Sequence, residues 1–204
     1  MKQLRGKPAR VALAAAAAML VMGGCSTNPA TGQRQFSLIG EQQEIALGQE
    51  EAANAVAQLG RYDDAELQAY VSGVGNRLAA ATEKPDLPWS FTVVDDPVVN
   101  AFALPGGPIF VTRGILAHFN SEAELAAVLG HEIGHVTARH SVEQMSTAQL
   151  ANLGLGVAMI ASEDFRPYAG LAMQGLTLMF LKFSRDDETQ SDELGLRYMT
   201  RNGY

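Results

Sequence analysis

Two scarcities bound this chain before any motif is read. It has one cysteine in 204 residues, so no internal disulfide and no four-cysteine zinc or iron–sulfur site can form. Acidic residues are missing from the first 24 positions. All 22 lie after Cys25, whereas Lys2, Arg5, Lys7 and Arg10 lie before it. The formal charge of −7 is therefore an average over two objects: a basic leader and a body of 180 residues carrying 11 basic and 22 acidic side chains, or −11. A body of that sign lacks the basic face that nucleic-acid binding needs, so no nucleic-acid partner is expected. The uncharged run at 11–24 is also too short to span a bilayer, which takes about 20 residues. What the chain does have is a 47% hydrophobic content, enough for a globular core.

Residues 1–24 join a basic segment, a short apolar core and small residues, the composition of a secretory signal peptide. Gly23 and Gly24 directly before the sole cysteine resemble a bacterial lipobox, with Met22 where leucine is commoner. The resemblance implies that Cys25 is lipidated and becomes the mature amino terminus. Ser26 resembles the position after the cysteine in lipoproteins passed to an outer membrane. The expected location is the periplasmic side of the cell envelope, lipid-anchored, at the outer membrane in a Gram-negative source. Residues 25–40 are rich in Thr, Asn, Pro, Gly and Gln and read as a tether.

The body, 41–204, reads as α+β, mainly helical with a small sheet. Residues 41–59 set Ile45, Ala46, Gln49, Ala52, Ala53 and Val56 at helical spacing. Asp63 or Asp64 can cap a second helix bearing Leu67, Tyr70, Val71, Val74 and Leu78. Residues 89–94, 100–104 and 109–112 read as strands, the last two around the turn Pro105-Gly106-Gly107-Pro108. Ser121 and Glu124 form a capping box that opens a helix running to about Met145. Residues 144–162 and 167–181 carry no charge. They read as a helical hairpin, either buried or touching membrane and shielding the site. A last helix starts near Ser184.

The chemistry sits on the helix after Ser121, as His131-Glu132-Ile133-Gly134-His135. Histidines four apart project from one helical face and can meet one metal ion. Glu132 lies about 100° around the helix. It cannot easily join them as a third ligand. It can reach a water beside the ion, act as general base and pass the proton to a leaving amine. Gly130 and Gly134 cost helix propensity and imply close backbone approach. His140, five positions after His135, rotates about 140° from that face and reads as structural or as support behind a ligand. A third ligand is required. Glu188 and Asp192 share a face of the last helix, with Glu163, Asp186 and Asp187 as alternatives on spacing alone. One carboxylate can bind the ion while the other holds an imidazole.

His131-Glu132-x-x-His135 followed by Ser184-Arg185-x-x-Glu188-x-x-x-Asp192 resembles the HtpX and CAAX-prenyl-protease type of zinc metallopeptidase. Asn100 to Ile109 resembles its strand–turn signature. Asn28-Pro29-Ala30-Thr31-Gly32 and Glu44 to Gly48 resemble its periplasmic lipoprotein branch. The resemblance implies a zincin-like fold, one Zn2+ per chain held by His131, His135 and Glu188, and Glu132 as base. Asp192 would stand behind a ligand or donate a proton. Asn100, Ala101 and Phe102 would lie on the edge strand that receives an extended substrate. The implied substrates are unfolded or misfolded envelope proteins. The oxyanion stabiliser is Arg185, Arg201 or a residue beyond 204. A competing class is a chaperone-like envelope lipoprotein with a structural zinc, which would have no use for Glu132.

Overall fold

A computed structural model describes residues 25–161 and 182–204. The elements are β1 (Cys25–Thr27), β2 (Arg34–Phe36), α1 (Glu41–Leu59), α2 (Ala65–Ala80), β3 (Ser90–Val94), β4 (Ala101–Ala103), β5 (Pro108–Thr112), α3 (Arg113–Leu116), α4 (Glu122–Ala138), α5 (His140–Ala161) and α6 (Arg185–Arg201). The architecture is α+β and mainly helical, as the sequence implies. A three-stranded sheet, ordered β3-β5-β4, pairs β3 parallel and β4 antiparallel to β5.

The core sits between this sheet and helices α2, α4 and α6. Val71, Val74 and Leu78 of α2 are buried, on the face their spacing predicts, and the Asp64 carboxylate accepts from the Leu67 amide at the helix start. From the sheet come Phe91, Val93, Ile109 and Val111. Leu125, Leu129 and Ile133 enter from α4, and Leu194 and Tyr198 from α6. Every position of β5 is buried, as a central strand covered on both faces must be. Among the described residues, β4 is the edge strand.

Helices α4 and α6 cross closely because both present small residues. A Cβ added at Gly195 would lie 2.8 Å from the Gly130 carbonyl carbon, and one at Gly134 would lie 2.7 Å from Ser191. The Ser191 hydroxyl donates to the His131 carbonyl at 2.6 Å. This approach explains why two glycines interrupt an otherwise good helix former.

Three expectations are corrected. The stretch 25–40 is no loose tether beyond Thr27. β1 and β2 form an antiparallel hairpin, and Asn28, Ala30, Gln35 and Ile39 are buried. The Asn28 amide donates to the carbonyls of Thr137 (3.1 Å) and Ala138 (2.8 Å), and Gln35 donates to Ala138 at 2.7 Å. These are orphan carbonyls at the end of α4, so the segment is fixed by capping that helix.

The face of α1 also differs. Glu44 and Gly48 are its buried positions, while Ala46, Gln49, Ala53 and Val56 are exposed. A Cβ on Gly48 would lie 1.7 Å from the Pro105 carbonyl oxygen, so a glycine, not an apolar side chain, makes the contact. Glu44 pairs with Arg139 at 2.8 Å.

Finally, the helix after Ser121 does not reach Met145 unbroken. Arg139 adopts φ +61°, and α5 starts anew at His140. A left-handed conformation is uncommon outside glycine. Here the Arg139 guanidinium is held by Glu44 and by the Ile39 carbonyl at 3.0 Å. Leu150 and Leu153 of α5 are exposed. The hairpin expected over 144–181 continues outside the described residues. Among the described residues, no helix is long and apolar enough to cross a membrane.

Candidate metal centre

The close crossing of α4 and α6 brings together the histidine pair of one and the carboxylates of the other. His131 Nε2 and His135 Nε2 lie 3.0 Å apart. Glu188 oxygens lie 3.4 Å from the first and 3.9 Å from the second. Donors about 2.1 Å from one tetrahedral ion sit about 3.4 Å from each other. Among the described residues, this trio is the group of histidine and carboxylate side chains that converges closely enough to hold a metal ion.

The donor chemistry fits a cation independently of distance. Asp192 Oδ1 lies 2.8 Å from His131 Nδ1, and a carboxylate there can only accept, so Nδ1 carries the proton. Burial, with His140 and His131 adding to it, pushes the His135 imidazole down to about 3. His135 is therefore neutral at physiological pH. Two Nε2 atoms and a carboxylate then converge within a few ångström, an arrangement that a divalent cation stabilises in place of any proton they share.

Glu132 turns away from this trio toward the sheet, as its 100° offset requires. Burial raises its carboxyl to about 7. The nearby His131 lowers it, Glu188 raises it, and a hydrogen bond from the Ala103 backbone lowers it. A carboxyl near neutrality suits a group that must both take and return a proton.

The edge strand runs beside α4. The Thr112 amide donates to the Asn100 carbonyl at 3.1 Å and the Leu104 amide to the Pro108 carbonyl at 2.8 Å. Phe102 pairs with Phe110 in the same register, and their rings stack 5.1 Å apart. Asn100, Phe102 and Leu104 thus spend their main-chain groups on β5. By alternation, Ala101 and Ala103 point theirs to the free edge. Of the three residues read as a substrate edge, Ala101 has main-chain groups that are free among the described residues. Ala103, not among them, adds its carbonyl, while its amide donates to Glu132.

Of the alternative third ligands, Asp187 caps α6, accepting from the Ser184 amide at 2.9 Å, and Asp186 is exposed. Glu163 lies outside the described residues. Arg201 is turned to Glu83 (3.1 Å) and the Ala81 carbonyl. It stands 13 residues from Glu188 on one helix, about 20 Å away, which removes it as an oxyanion stabiliser. Arg185 is exposed.

Sequence reasoning also missed the surroundings of His135. Phe183 stacks on its ring at 4.2 Å, and His140 Nδ1 lies 2.9 Å from its Nδ1. The rotation argument for His140 assumed one continuous helix. The break at Arg139 swings His140 back.

The donor trio and the carboxyl beside it suit metal-dependent hydrolysis, and comparison with known proteins specifies the family. The model of peptidase family M48 matches residues 65–204; the chain belongs to that family. It is 39% identical over 127 residues to the mitochondrial metalloendopeptidase OMA1 of Arabidopsis thaliana, covering 62% of this chain and 25% of that one. It is 31% identical over 150 residues to a putative beta-barrel assembly-enhancing protease of Vibrio cholerae, covering 70% of this chain and 31% of that one. It is 27% identical over 188 residues to the beta-barrel assembly-enhancing protease of Escherichia coli, covering 87% of this chain and 38% of that one. The chain spans between a quarter and two fifths of these relatives' lengths.

Proposed function

We propose that this chain is a zinc endopeptidase of the bacterial envelope, lipid-anchored through Cys25 on the periplasmic side, that cleaves unfolded or misassembled envelope proteins. The convergence of His131, His135 and Glu188 with the partly buried Glu132 beside them carries the reading. Three nitrogen and oxygen donors with a carboxylate base at hand suit zinc in a hydrolytic site. When bound there, zinc supplies Lewis-acid polarisation of the scissile carbonyl and acidifies water.

The chain's own residues do the rest. Glu132 takes a proton from the attacking water and delivers it to the departing amine nitrogen. Asp192 fixes the His131 ring through Nδ1–H and compensates positive charge at the site. Ala101 and the Ala103 carbonyl offer main-chain groups to an extended peptide, which is held alongside Glu132 by strand addition.

The setting rests on separate observations. Relatives named for beta-barrel assembly support an envelope substrate, while others are named mitochondrial. The basic leader and the glycines before Cys25 favour the bacterial envelope. One experiment tests the core of the reading. Glu132→Gln should abolish cleavage of unfolded casein while binding one zinc per chain as the wild type does. Retained turnover in that variant refutes Glu132 as the base, and a wild type that binds no zinc refutes the metal site.

A further inference from the structure

We propose that His140 and Gln190 form a positioning relay that selects the metal-binding tautomer of His135. The inference rests on the reading of His135 as a ligand. It assigns two residues that the His-Glu-x-x-His pattern does not contain.

The argument is one of proton accounting. His135 Nδ1 lies 2.9 Å from His140 Nδ1, and His140 Nε2 lies 2.9 Å from Gln190 Oε1. Asp187 Oδ1 stands 3.7 Å from the same Nε2. Two oxygens that can only accept therefore converge on His140 Nε2, and the proton of a neutral ring belongs there. That leaves His140 Nδ1 bare. It must accept, and among the described residues the donor it meets is His135 Nδ1–H. With its proton on Nδ1, His135 has a lone pair on Nε2, the atom that faces His131 and Glu188. The opposite tautomer would put an N–H into the space a metal needs, and would leave His140 with a proton aimed away from both oxygens.

Packing makes the relay rigid. His140 and His135 are both buried, at 3% and 4% exposure. Phe183 covers the His135 ring at 4.2 Å and reaches His140 at 5.9 Å. The left-handed turn at Arg139 places His140 within reach; a continued helix would carry it round the far side. The two ligand histidines are thus held by different chemistry. A carboxylate contacts His131 directly, whereas His135 is backed by an imidazole that stands between it and the Gln190 amide and Asp187 carboxylate. The second arrangement orients its ring while keeping the backing carboxylate one ring further from the metal site.

The test measures zinc affinity of the full purified chain by competition with a chromogenic chelator, alongside thermal melts of the metal-free proteins. His140→Leu removes the acceptor and should weaken zinc binding by about 10- to 100-fold. His140→Asn places an amide oxygen near the lost Nδ1 and should recover most of that affinity. Gln190→Leu should weaken binding less than His140→Leu. Nitrogen-15 NMR of the metal-free chain should show His135 protonated at Nδ1 in the wild type and a mixture of tautomers in His140→Leu. Equal zinc affinity of His140→Leu and wild type overturns the relay. So does a His140→Asn variant as weak as His140→Leu while melting like wild type. If His140→Leu fails to fold, unchanged zinc affinity in Gln190→Leu overturns the relay in its place. Absence of zinc binding by the wild type would instead defeat the metal-site reading itself.

Discussion

Replacing Gly195 with alanine tests whether the α4–α6 crossing builds the site. In an isolated helix the change should help, since alanine exceeds glycine by about 0.8–1.0 kcal/mol in a helix interior. Here the new Cβ would lie 2.8 Å from the Gly130 carbonyl carbon and 2.9 Å from the His131 nitrogen. Both are backbone atoms that cannot swing aside. Ordinary contact starts at 3.4 Å, so the helices must part by 3.4 − 2.8, about 0.6 Å. Overpacking of this kind costs about 1–3 kcal/mol. Subtracting the propensity gain leaves a net loss of roughly 1 kcal/mol, and up to about 2. The displacement also carries Glu188 and Asp192 away from His131 and His135. A ligand shift of that size exceeds the roughly 0.2 Å tolerance of metal coordination, so zinc affinity should fall by on the order of tenfold. Gly73 supplies the control. It lies within α2, and a Cβ there meets nothing within 4 Å, so Gly73→Ala should stabilise by about 0.5–1 kcal/mol. Urea melts of the metal-free chains and zinc competition read both effects. A Gly195→Ala variant that gains stability as Gly73→Ala does, with zinc affinity intact, would refute the reasoning.

Three further outcomes follow from the same geometry. Asn28→Ala strands the Thr137 carbonyl at the end of α4, leaves the Ala138 carbonyl to Gln35 alone, and should cost about 1–3 kcal/mol in a urea melt; no change would mean that water replaces the amide freely. Glu44→Ala leaves the Arg139 guanidinium without its buried partner and should cost about 3–5 kcal/mol, with a loss of zinc affinity if the left-handed turn relaxes. Metal-free Glu132→Gln should gain on wild type as pH rises. The folded carboxyl sits near 7 and the unfolded one near 4.3, so charging Glu132 destabilises the folded state increasingly from pH 4.5 to 7 and by a constant amount above. The full span is at most about 4 kcal/mol. A stability difference flat across pH 5–8 would show that Glu132 is not held up by burial.

Features written in local patterns were legible from residues alone. A cap at Asp63 or Asp64, the buried stripe Val71–Val74–Leu78, the three short strands and the His131–His135 pair each follow from spacing within a dozen residues. Glu188 needed more: spacing left four carboxylates in play, and the resemblance selected among them. What escaped were the contacts set by distant partners. Gly48 is buried because Pro105 approaches it, so the apolar periodicity of α1 pointed to the wrong face. Arg139 carries no stop signal of its own, and its left-handed turn depends on Glu44, 95 positions earlier. The polar stretch 28–39 looked like a loop because its side chains bond to helix-end carbonyls instead of packing apolar surface. Ala103 was passed over because free and spent amides along an edge strand differ only in register.

The edge formed by β4 has a bearing on discrimination. It is three residues long, and its outward-facing groups belong to two alanines, so it reads almost nothing of a partner's side chains. What it can sense is whether a partner's own amides and carbonyls are unspent. A polypeptide already committed to helices or sheets must first open a segment, at a cost equal to the local stability of that segment. Rank order among potential partners would then follow how easily each one frays, with little regard to composition. Residues near such an edge would impose only a gentle filter on top. On the proposed reading, a surface of this kind would measure the foldedness of other proteins in the same free-energy units that hold its own fold together.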